Sequence, residues 1–183
     1  MIPLKVSEIA KAVGGTLLCG NPDIEITSVA CDSREVKDGT LFVPIRGEKV
    51  DAHEFIEDCL KNCSATFTEY DAPENAEKPY IKVENTLTAL QALGAYYRSR
   101  FDIKIIGVTG NNEIGMPQTL FGLDSSYEAA VIEMGMSEFG EMERLCAIAK
   151  PSMAVMTNIG TAHIENLGSR ENIMSEKFKI TGN

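Results

Sequence analysis

Residues 104–110 read KIIGVTG, a run of apolar and β-branched residues that ends at a glycine. Two later runs, 129–134 (AAVIEM) and 153–158 (MAVMTN), have the same character, and helical patterns lie between them. Strands that alternate with helices indicate a mainly parallel sheet. Ligand sites in such sheets lie beyond the carboxyl ends of the strands. The stretch therefore predicts an α/β fold with functional residues at Thr109-Gly110, near Glu133 and near Asn158.

The first hundred residues carry the pattern of a smaller α/β domain. Helical spacing begins after Ser7, which is predicted to cap that helix, and residues 24–29 have the character of one strand. An amphipathic helix is expected from Thr86 to Arg100. The pattern changes near Phe101, so we expect two domains, 1–101 and 102–183. The fold class is α/β in both, with a mainly parallel sheet in the second.

The composition of the 183 residues excludes several classes of protein. There are 17 basic and 27 acidic side chains, and a formal charge of −10 opposes nucleic-acid binding, which needs a basic surface. No apolar run reaches the roughly 18 residues that span a bilayer, and the start has no signal-peptide pattern. The five scattered cysteines do not suggest a disulfide framework. We expect a cytoplasmic protein that does not insert into membranes.

Several long motifs, in a fixed order, resemble the Mur ligase family. In the second block they are 111–117 (NNEIGMP), 131–137 (VIEMGMS), 157–165 (TNIGTAHIE) and 167–173 (LGSRENI). In the first block they are 32–34 (DSR), 39–43 (GTLFV), Gly47 and 51–55 (DAHEF). The match is best to the family members that join D-alanyl-D-alanine to UDP-N-acetylmuramoyl-tripeptide with ATP in peptidoglycan synthesis. The resemblance implies a UDP-substrate-binding domain at 1–101 and a partial ATP-binding-type domain at 102–183.

The resemblance also implies roles for individual residues. Substrate contacts are expected from Ser33, Arg34, Gly47, Asp51 and His53. An arginine beside a hydroxyl suits a diphosphate or a uracil carbonyl, because it forms charge-assisted hydrogen bonds. The nucleotide would lie near five residues at strand ends: Thr109, Gly110, Asn111, Asn112 and Asn158. Mg²⁺ would be held by Glu133, His163 and Lys177, the last of these as a carbamylated lysine.

One departure from the family pattern bears directly on activity. A glycine-rich phosphate loop of the GxxGKT type should follow residues 104–110, but Asn111-Asn112 follows Gly110 at once. The loop, the next helix and the next strand are missing, about thirty residues by the size of such a unit. A phosphate loop cradles phosphates with backbone N–H groups and balances their charge with a lysine. Binding of ATP and Mg²⁺ is therefore expected to be weak or lost.

The same residues have simpler interpretations. Ser33-Arg34 suits an exposed turn with a local ion pair to Asp32, and the Asn111-Asn112 pair suits a loop cap. The three predicted metal ligands also have simpler interpretations: Glu133 as a strand-end carboxylate, His163 as a loop histidine and Lys177 as a solvated helix lysine. Such residues are common in proteins that bind no metal. No catalytic residue is assigned with the phosphate loop missing.

Three functional hypotheses stay open at this point. The first is an ATP-dependent ligase of the dipeptide-adding kind, inactive or impaired in this shortened chain. The second is a non-catalytic module that binds the UDP-muramoyl-peptide. The third is an incomplete gene product or an engineered deletion, since the family's C-terminal domain, which would supply the D-alanyl-D-alanine site, is also expected to be missing after Asn183.

Overall fold

The computed structural model describes residues 1–47, 49–110 and 115–181. The chain divides into two compact units, Met1–Tyr96 and Tyr97–Asn183. The fold is mixed α/β with parallel sheets in both units, as the sequence predicted. The fold by itself does not test the predicted roles of the two domains, which stay predictions. In the part of the chain that the structure describes, no helix is both long and apolar enough to cross a membrane.

The first unit is built around a five-stranded sheet in which four neighbouring strands are parallel. The order is β2-β7-β6-β5-β4, and only β2 runs antiparallel to its neighbour. The strands are β2 (Thr16–Cys19), β4 (Ser28–Ala30), β5 (Thr40–Phe42), β6 (Ala65–Thr68) and β7 (Tyr80–Lys82). A separate antiparallel pair joins β1 (Leu4–Lys5) to β3 (Glu25–Ile26). The helices are α1 (Val6–Ala12), α2 (Ile56–Leu60) and α3 (Thr86–Arg98), with 3₁₀ helices at Ser33–Glu35 and Ala52–Phe55.

The core of the first unit is formed by the central strands and the helices that cover them. Phe42, Phe67 and Ile81 lie on β5, β6 and β7 and are fully buried. Leu90 and Leu93 of α3 are also fully buried. Every residue of β5 and β6 is buried, as expected for strands covered on both faces. This rigid centre positions the loops that follow the strands.

Two local predictions for this unit were wrong. Ser7 does not cap α1, because the helix begins at Val6 with Lys5 as the preceding residue. The N–H groups of Val6 and Ser7 bond instead to the carbonyl oxygens of Ile24 and Pro22, so no side-chain cap is needed. Residues 24–29 are not one strand. Glu25 and Ile26 form β3, which pairs with β1, and Ser28 begins β4, which pairs with β5.

The second unit has a three-stranded parallel sheet with the order β10-β8-β9. Its strands are β8 (Lys104–Gly110), β9 (Ala129–Gly135) and β10 (Met153–Val155). Its helices are α4 (Gly115–Phe121), α5 (Glu141–Ala149), α6 (Ile164–Leu167) and α7 (Arg170–Phe178), with a 3₁₀ turn at Lys179–Thr181. Ser169 caps α7 by accepting a hydrogen bond from the Asn172 N–H at 3.1 Å.

Helices cover one face of this sheet closely. Ala130, Ile132 and Met134 of β9 point to that face and are buried. A side chain added at Gly107 would meet Met134 Sδ at 2.8 Å and Ile180 Cδ1 at 3.1 Å. The central strand therefore needs a glycine where Met134 and Ile180 cross it.

We expect Gly107→Val to destabilise the second unit by about 1–3 kcal/mol, because the added methyl groups overpack this contact. Thermal unfolding followed by circular dichroism measures the change. Gly160→Val is the matched control, since nothing lies within 4 Å of a Cβ built there. Equal stability of the two variants would contradict the packing argument.

Candidate functional site

The carboxyl edge of the first sheet collects most of the predicted substrate residues. Because β4 to β7 are parallel, the segments that follow them all leave the sheet at one edge. Asp32, Ser33 and Arg34 follow β4, and Arg46 and Gly47 follow β5. Sequence-distant polar residues are therefore presented at one edge of one sheet.

Arg34 lies in a short turn that its neighbour Asp32 organises. The Asp32 carboxylate accepts hydrogen bonds from the Arg34 backbone N–H and from Nε, both at 2.9 Å. Hydrogen bonds from the Arg34 side chain, and then from its backbone, lower the pKa of Asp32 to about 2. The Arg34 side chain is 86% exposed, and its Nη1 makes no hydrogen bond among the described residues. The local ion pair between Arg34 and Asp32 that the sequence suggested is therefore present. Nη1 remains available to donate to a ligand.

Asp51 is the centre of a second, more buried polar cluster. One carboxylate oxygen accepts hydrogen bonds from the His53 backbone N–H at 3.0 Å and from His53 Nδ1 at 2.6 Å. The other accepts from Arg46 Nε at 3.1 Å. This contact begins the 3₁₀ helix Ala52–Phe55 and fixes the His53 ring. Gly47, also predicted, shares the loop, which its N–H closes by a bond to the Val50 carbonyl at 2.9 Å.

Tyr70 and Glu69 extend this cluster and were missed by the sequence analysis. Arg46 Nη2 donates to the Tyr70 hydroxyl at 2.6 Å and to Glu69 Oε2 at 3.4 Å. The Tyr70 ring packs edge-on against His53, with 5.1 Å between ring centroids. Both residues follow β6 directly. Their position directly after a predicted strand was the signal that the sequence offered, and Arg46 is the residue before Gly47.

Opposing effects set the pKa of Asp51. Burial by itself would raise it, but the hydrogen bonds from the backbone and ring of His53 and from Arg46 outweigh burial and lower the pKa to about 2. An ionised carboxylate only accepts hydrogen bonds, so His53 Nδ1 carries the proton in their shared bond. Asp51 therefore fixes the tautomer as well as the orientation of the ring.

His53 Nε2 is the exception in an otherwise satisfied cluster. The side chain is only 5% exposed, and Nε2 has no hydrogen-bond partner among the described residues. A buried polar atom without a partner costs about 1–3 kcal/mol. Such an atom is expected where a ligand completes the site.

The second unit brings together some of the residues predicted for the nucleotide and the metal. Thr109, next to the last residue of β8, is buried. It accepts two 3.4 Å hydrogen bonds from Thr157, the residue before Asn158: the Thr157 N–H donates to Thr109 Oγ1, and the Thr157 hydroxyl donates to the Thr109 carbonyl. Lys177 Nζ donates to the Asn158 carbonyl at 3.2 Å. Gly110 lies opposite Gly135 of β9. Asn111 and Asn112 lie outside the described residues, so their predicted role stays a prediction.

The other two predicted metal ligands lie on different elements of the second unit. Glu133 is an exposed residue of β9, opposite Val108 of β8. His163 precedes α6 in a left-handed conformation, with φ of 61°. The described residues contain no group of three His, Cys, Asp or Glu side chains that could hold a metal. Convergence of Glu133, His163 and Lys177 therefore stays a prediction.

ATP and Mg²⁺ do not fit the residues that the structure describes at this edge. A phosphate cradle needs successive N–H groups from a glycine-rich loop and a lysine that faces the phosphates. No glycine in the sequence is followed by Lys-Ser or Lys-Thr, and Lys177 is bonded to the Asn158 carbonyl. Glu133 would be the only carboxylate among the three predicted metal ligands.

Both units match known proteins. The model for the Mur ligase family catalytic domain matches residues 25–98, and the Mur ligase middle domain matches residues 83–183. The UDP-N-acetylmuramoyl-tripeptide–D-alanyl-D-alanine ligase of Bacillus subtilis is 37% identical over 98% of this chain. The ligase of the same name from Synechocystis is 35% identical over 86% of it.

Solved structures show the same fold. A crystal structure of MurF from Acinetobacter baumannii superposes with a TM-score of 0.88 and 30% identity over 97% of this chain. The MurF ligase of Thermotoga maritima in complex with ADP superposes with a TM-score of 0.75 and 29% identity over 84%.

This chain is shorter than its relatives, both in total length and within the aligned region. The chain spans less than half of each relative, 46% for the Bacillus protein and 46% for the Acinetobacter chain. The Bacillus alignment runs over 213 positions, whereas the chain has 183 residues, so at least 30 aligned positions have no residue here. The middle-domain match alone covers more than half of the chain, and the chain therefore belongs to the Mur ligase family.

Proposed function

We propose that the first unit binds a UDP-N-acetylmuramoyl-peptide at the carboxyl edge of its sheet, and that the chain as given performs no ATP-driven ligation. The relatives are named for ligation of UDP-N-acetylmuramoyl-tripeptide, which supports this substrate class. The observation that carries the binding proposal is the buried His53 Nε2 without a partner.

The polar groups around His53 suit a diphosphate ester. Arg46 and Arg34 present guanidinium groups, whose planar forks match phosphate oxygens. Asp51 holds the Arg46 and His53 side chains in place before a ligand arrives, so less entropy is lost on binding. Nε2 accepts a hydrogen bond from a ligand hydroxyl or amide when the ring is neutral, and donates to a phosphate oxygen when it is protonated.

A second candidate is the complete reaction, addition of D-alanyl-D-alanine to the UDP-linked tripeptide with ATP and Mg²⁺. The names of the relatives favour it, and one solved relative holds ADP. Glu133, His163, Lys177 and the strand-end residues Thr109, Gly110 and Asn158 would serve it, with Asn111 and Asn112. The missing phosphate loop opposes it for this chain. We therefore propose the complete reaction for the related ligases and substrate binding alone for this chain. The expected compartment is the cytoplasm.

We expect His53→Phe to weaken binding of UDP-N-acetylmuramoyl-tripeptide by about 1.5–3 kcal/mol, the range for a hydrogen bond to a charged group. The variant keeps a ring against Tyr70 and removes both nitrogens. Isothermal titration calorimetry measures the affinity, and circular dichroism verifies folding. Arg34→Ala should cause a loss of the same size.

Lys61→Ala is the matched control for Arg34. Lys61 makes an equally local surface ion pair, with Asp58 at 2.6 Å, but lies away from the strand ends. It should leave the affinity unchanged. Equal affinity of wild type, His53→Phe and Arg34→Ala, or no binding by the wild type, would refute the site.

The pH dependence of stability should report the Asp51 cluster. Folding lowers the pKa of Asp51 from 3.8 to about 2. Its contribution is therefore fully present above pH 4 and is lost as the pH falls towards 2. Asp51→Asn should lower stability above pH 4 and reduce the slope between pH 4 and 2 in urea titrations. Asp71→Asn is the control, because the Asp71 side chain is exposed. An identical slope in wild type and Asp51→Asn would contradict the lowered pKa of Asp51.

We expect no ligase turnover with ATP, UDP-N-acetylmuramoyl-tripeptide and D-alanyl-D-alanine, because no phosphate loop holds the ATP. Release of inorganic phosphate measures turnover, and the Bacillus relative serves as positive control. Release that requires all three substrates would show that the chain is a working ligase and would overturn the second half of the proposal.

A further inference from the structure

Arg46 is the cation of the polar cluster in the first unit, and its guanidinium plane is fixed by three acceptors. Nε donates to Asp51 Oδ2 at 3.1 Å, and Nη2 donates to the Tyr70 hydroxyl at 2.6 Å and to Glu69 Oε2 at 3.4 Å. A guanidinium is rigid and planar, so these contacts also set the direction of Nη1. Nη1 makes no hydrogen bond among the described residues, and the side chain is 57% exposed. Its two N–H groups are therefore the donors that a ligand can reach.

Glu69 is a largely buried acceptor of Arg46, and it is itself anchored on helix α3. Its side chain is only 13% exposed. Oε1 accepts hydrogen bonds from the Thr86 backbone N–H at 3.0 Å and from Asn85 Nδ2 at 3.5 Å. Thr86 begins α3, so the Glu69 carboxylate satisfies one of the N–H groups that the first turn of the helix leaves unpaired. The dipole of this 13-residue helix stabilises the carboxylate further.

The Thr86 hydroxyl ties the backbone near Arg46 to the same helical turn. This hydroxyl donates to the Pro44 carbonyl at 2.6 Å, and Thr86 is fully buried. Pro44 stands two residues before Arg46. The first turn of α3 therefore holds this segment twice, at the backbone through Pro44 and at the side chain through Glu69. The contacts join the segments that follow β5, β6 and β7.

The charge of Glu69 by itself opposes the binding of an anionic ligand. A carboxylate 3.4 Å from the guanidinium partly neutralises the cation, and it repels phosphate oxygens that approach Arg46. Glu69 therefore does not attract such a ligand. Its contacts supply geometry instead, because a guanidinium that is already held in place loses less entropy when a ligand binds.

We propose that Glu69 is a positioning residue of the substrate site: anchored on the first turn of α3, it holds the Arg46 guanidinium so that Nη1 faces the diphosphate of the ligand. This role rests on the binding of a UDP-N-acetylmuramoyl-peptide proposed above. Glu69 acts through Arg46 and does not touch the ligand. Its removal therefore weakens binding, although it takes a negative charge out of the site.

A double-mutant cycle tests this role. In the wild-type background, Glu69→Ala should weaken binding of UDP-N-acetylmuramoyl-tripeptide about tenfold, the equivalent of one hydrogen bond. In the Arg46→Ala background, the same change should leave the affinity unchanged or strengthen it, because only the repulsion is lost there. Isothermal titration calorimetry measures the four affinities, and circular dichroism verifies folding. Equal losses in both backgrounds, or tighter binding by Glu69→Ala alone, would overturn the proposal.

Glu84→Ala is the matched control. Glu84 is an exposed carboxylate two residues before the start of α3, so its removal changes the charge near the same helix end without touching Arg46. It should leave the affinity unchanged. If Glu69→Ala does not fold, Glu69→Gln takes its place in the cycle with the same expected result. Glutamine keeps an acceptor oxygen for the Thr86 N–H and removes the charge that holds Arg46.

A measurement without ligand separates this proposal from the proposed function. An arginine interchanges its two Nη groups by rotation about the Nε–Cζ bond, and hydrogen bonds at Nη slow that rotation. The rate for Arg46, measured by ¹⁵N NMR, should rise severalfold in Glu69→Ala and stay unchanged in Glu84→Ala.

The two measurements fail in different ways. An unchanged rotation rate in Glu69→Ala would overturn the positioning role, even if the wild type binds the UDP-linked tripeptide. A raised rate together with no binding by the wild type would support the hold of Glu69 on Arg46 and would refute the proposed function.

Discussion

Parallel pairing is the constraint on which both units depend. It sends the ends of β4 to β7 to a single edge in the first sheet, and those of β8 to β10 to a single edge in the second. Residues far apart in the chain become neighbours in this way, as Asp51 and Tyr70 do. Parallel sheets also require cover on both faces. The first sheet has that cover on its central strands, whereas in the described part of the chain Val131, Met153 and Val155 of the second sheet are exposed.

Asp51 organises the site of the first unit. Its two oxygens hold His53 and Arg46 in fixed positions, and Arg46 in turn contacts Tyr70. Most polar groups of this cluster are satisfied internally, which keeps it rigid. Among the described residues only His53 Nε2 of this cluster is buried without a partner, and the proposed binding site rests on that atom.

The missing segment has different consequences for folding and for function. The strands on either side of the expected break after Gly110 are β8 and β9, and they pair directly, in register over their full length. A deletion between adjacent points need not disrupt such a sheet, because loop closure costs little.

The sequence by itself determined the fold class, the family and the strands Lys104–Gly110 and Ala129–Gly135, because apolar runs bounded by polar turns are local patterns. It also located Asp51 and His53 through their motif. Tertiary structure alone decided that Arg46, Glu69 and Tyr70 complete the cluster and that Val131 is exposed. These properties depend on which strands pair and on which face of the sheet each helix lies, and a local stretch of sequence does not determine either.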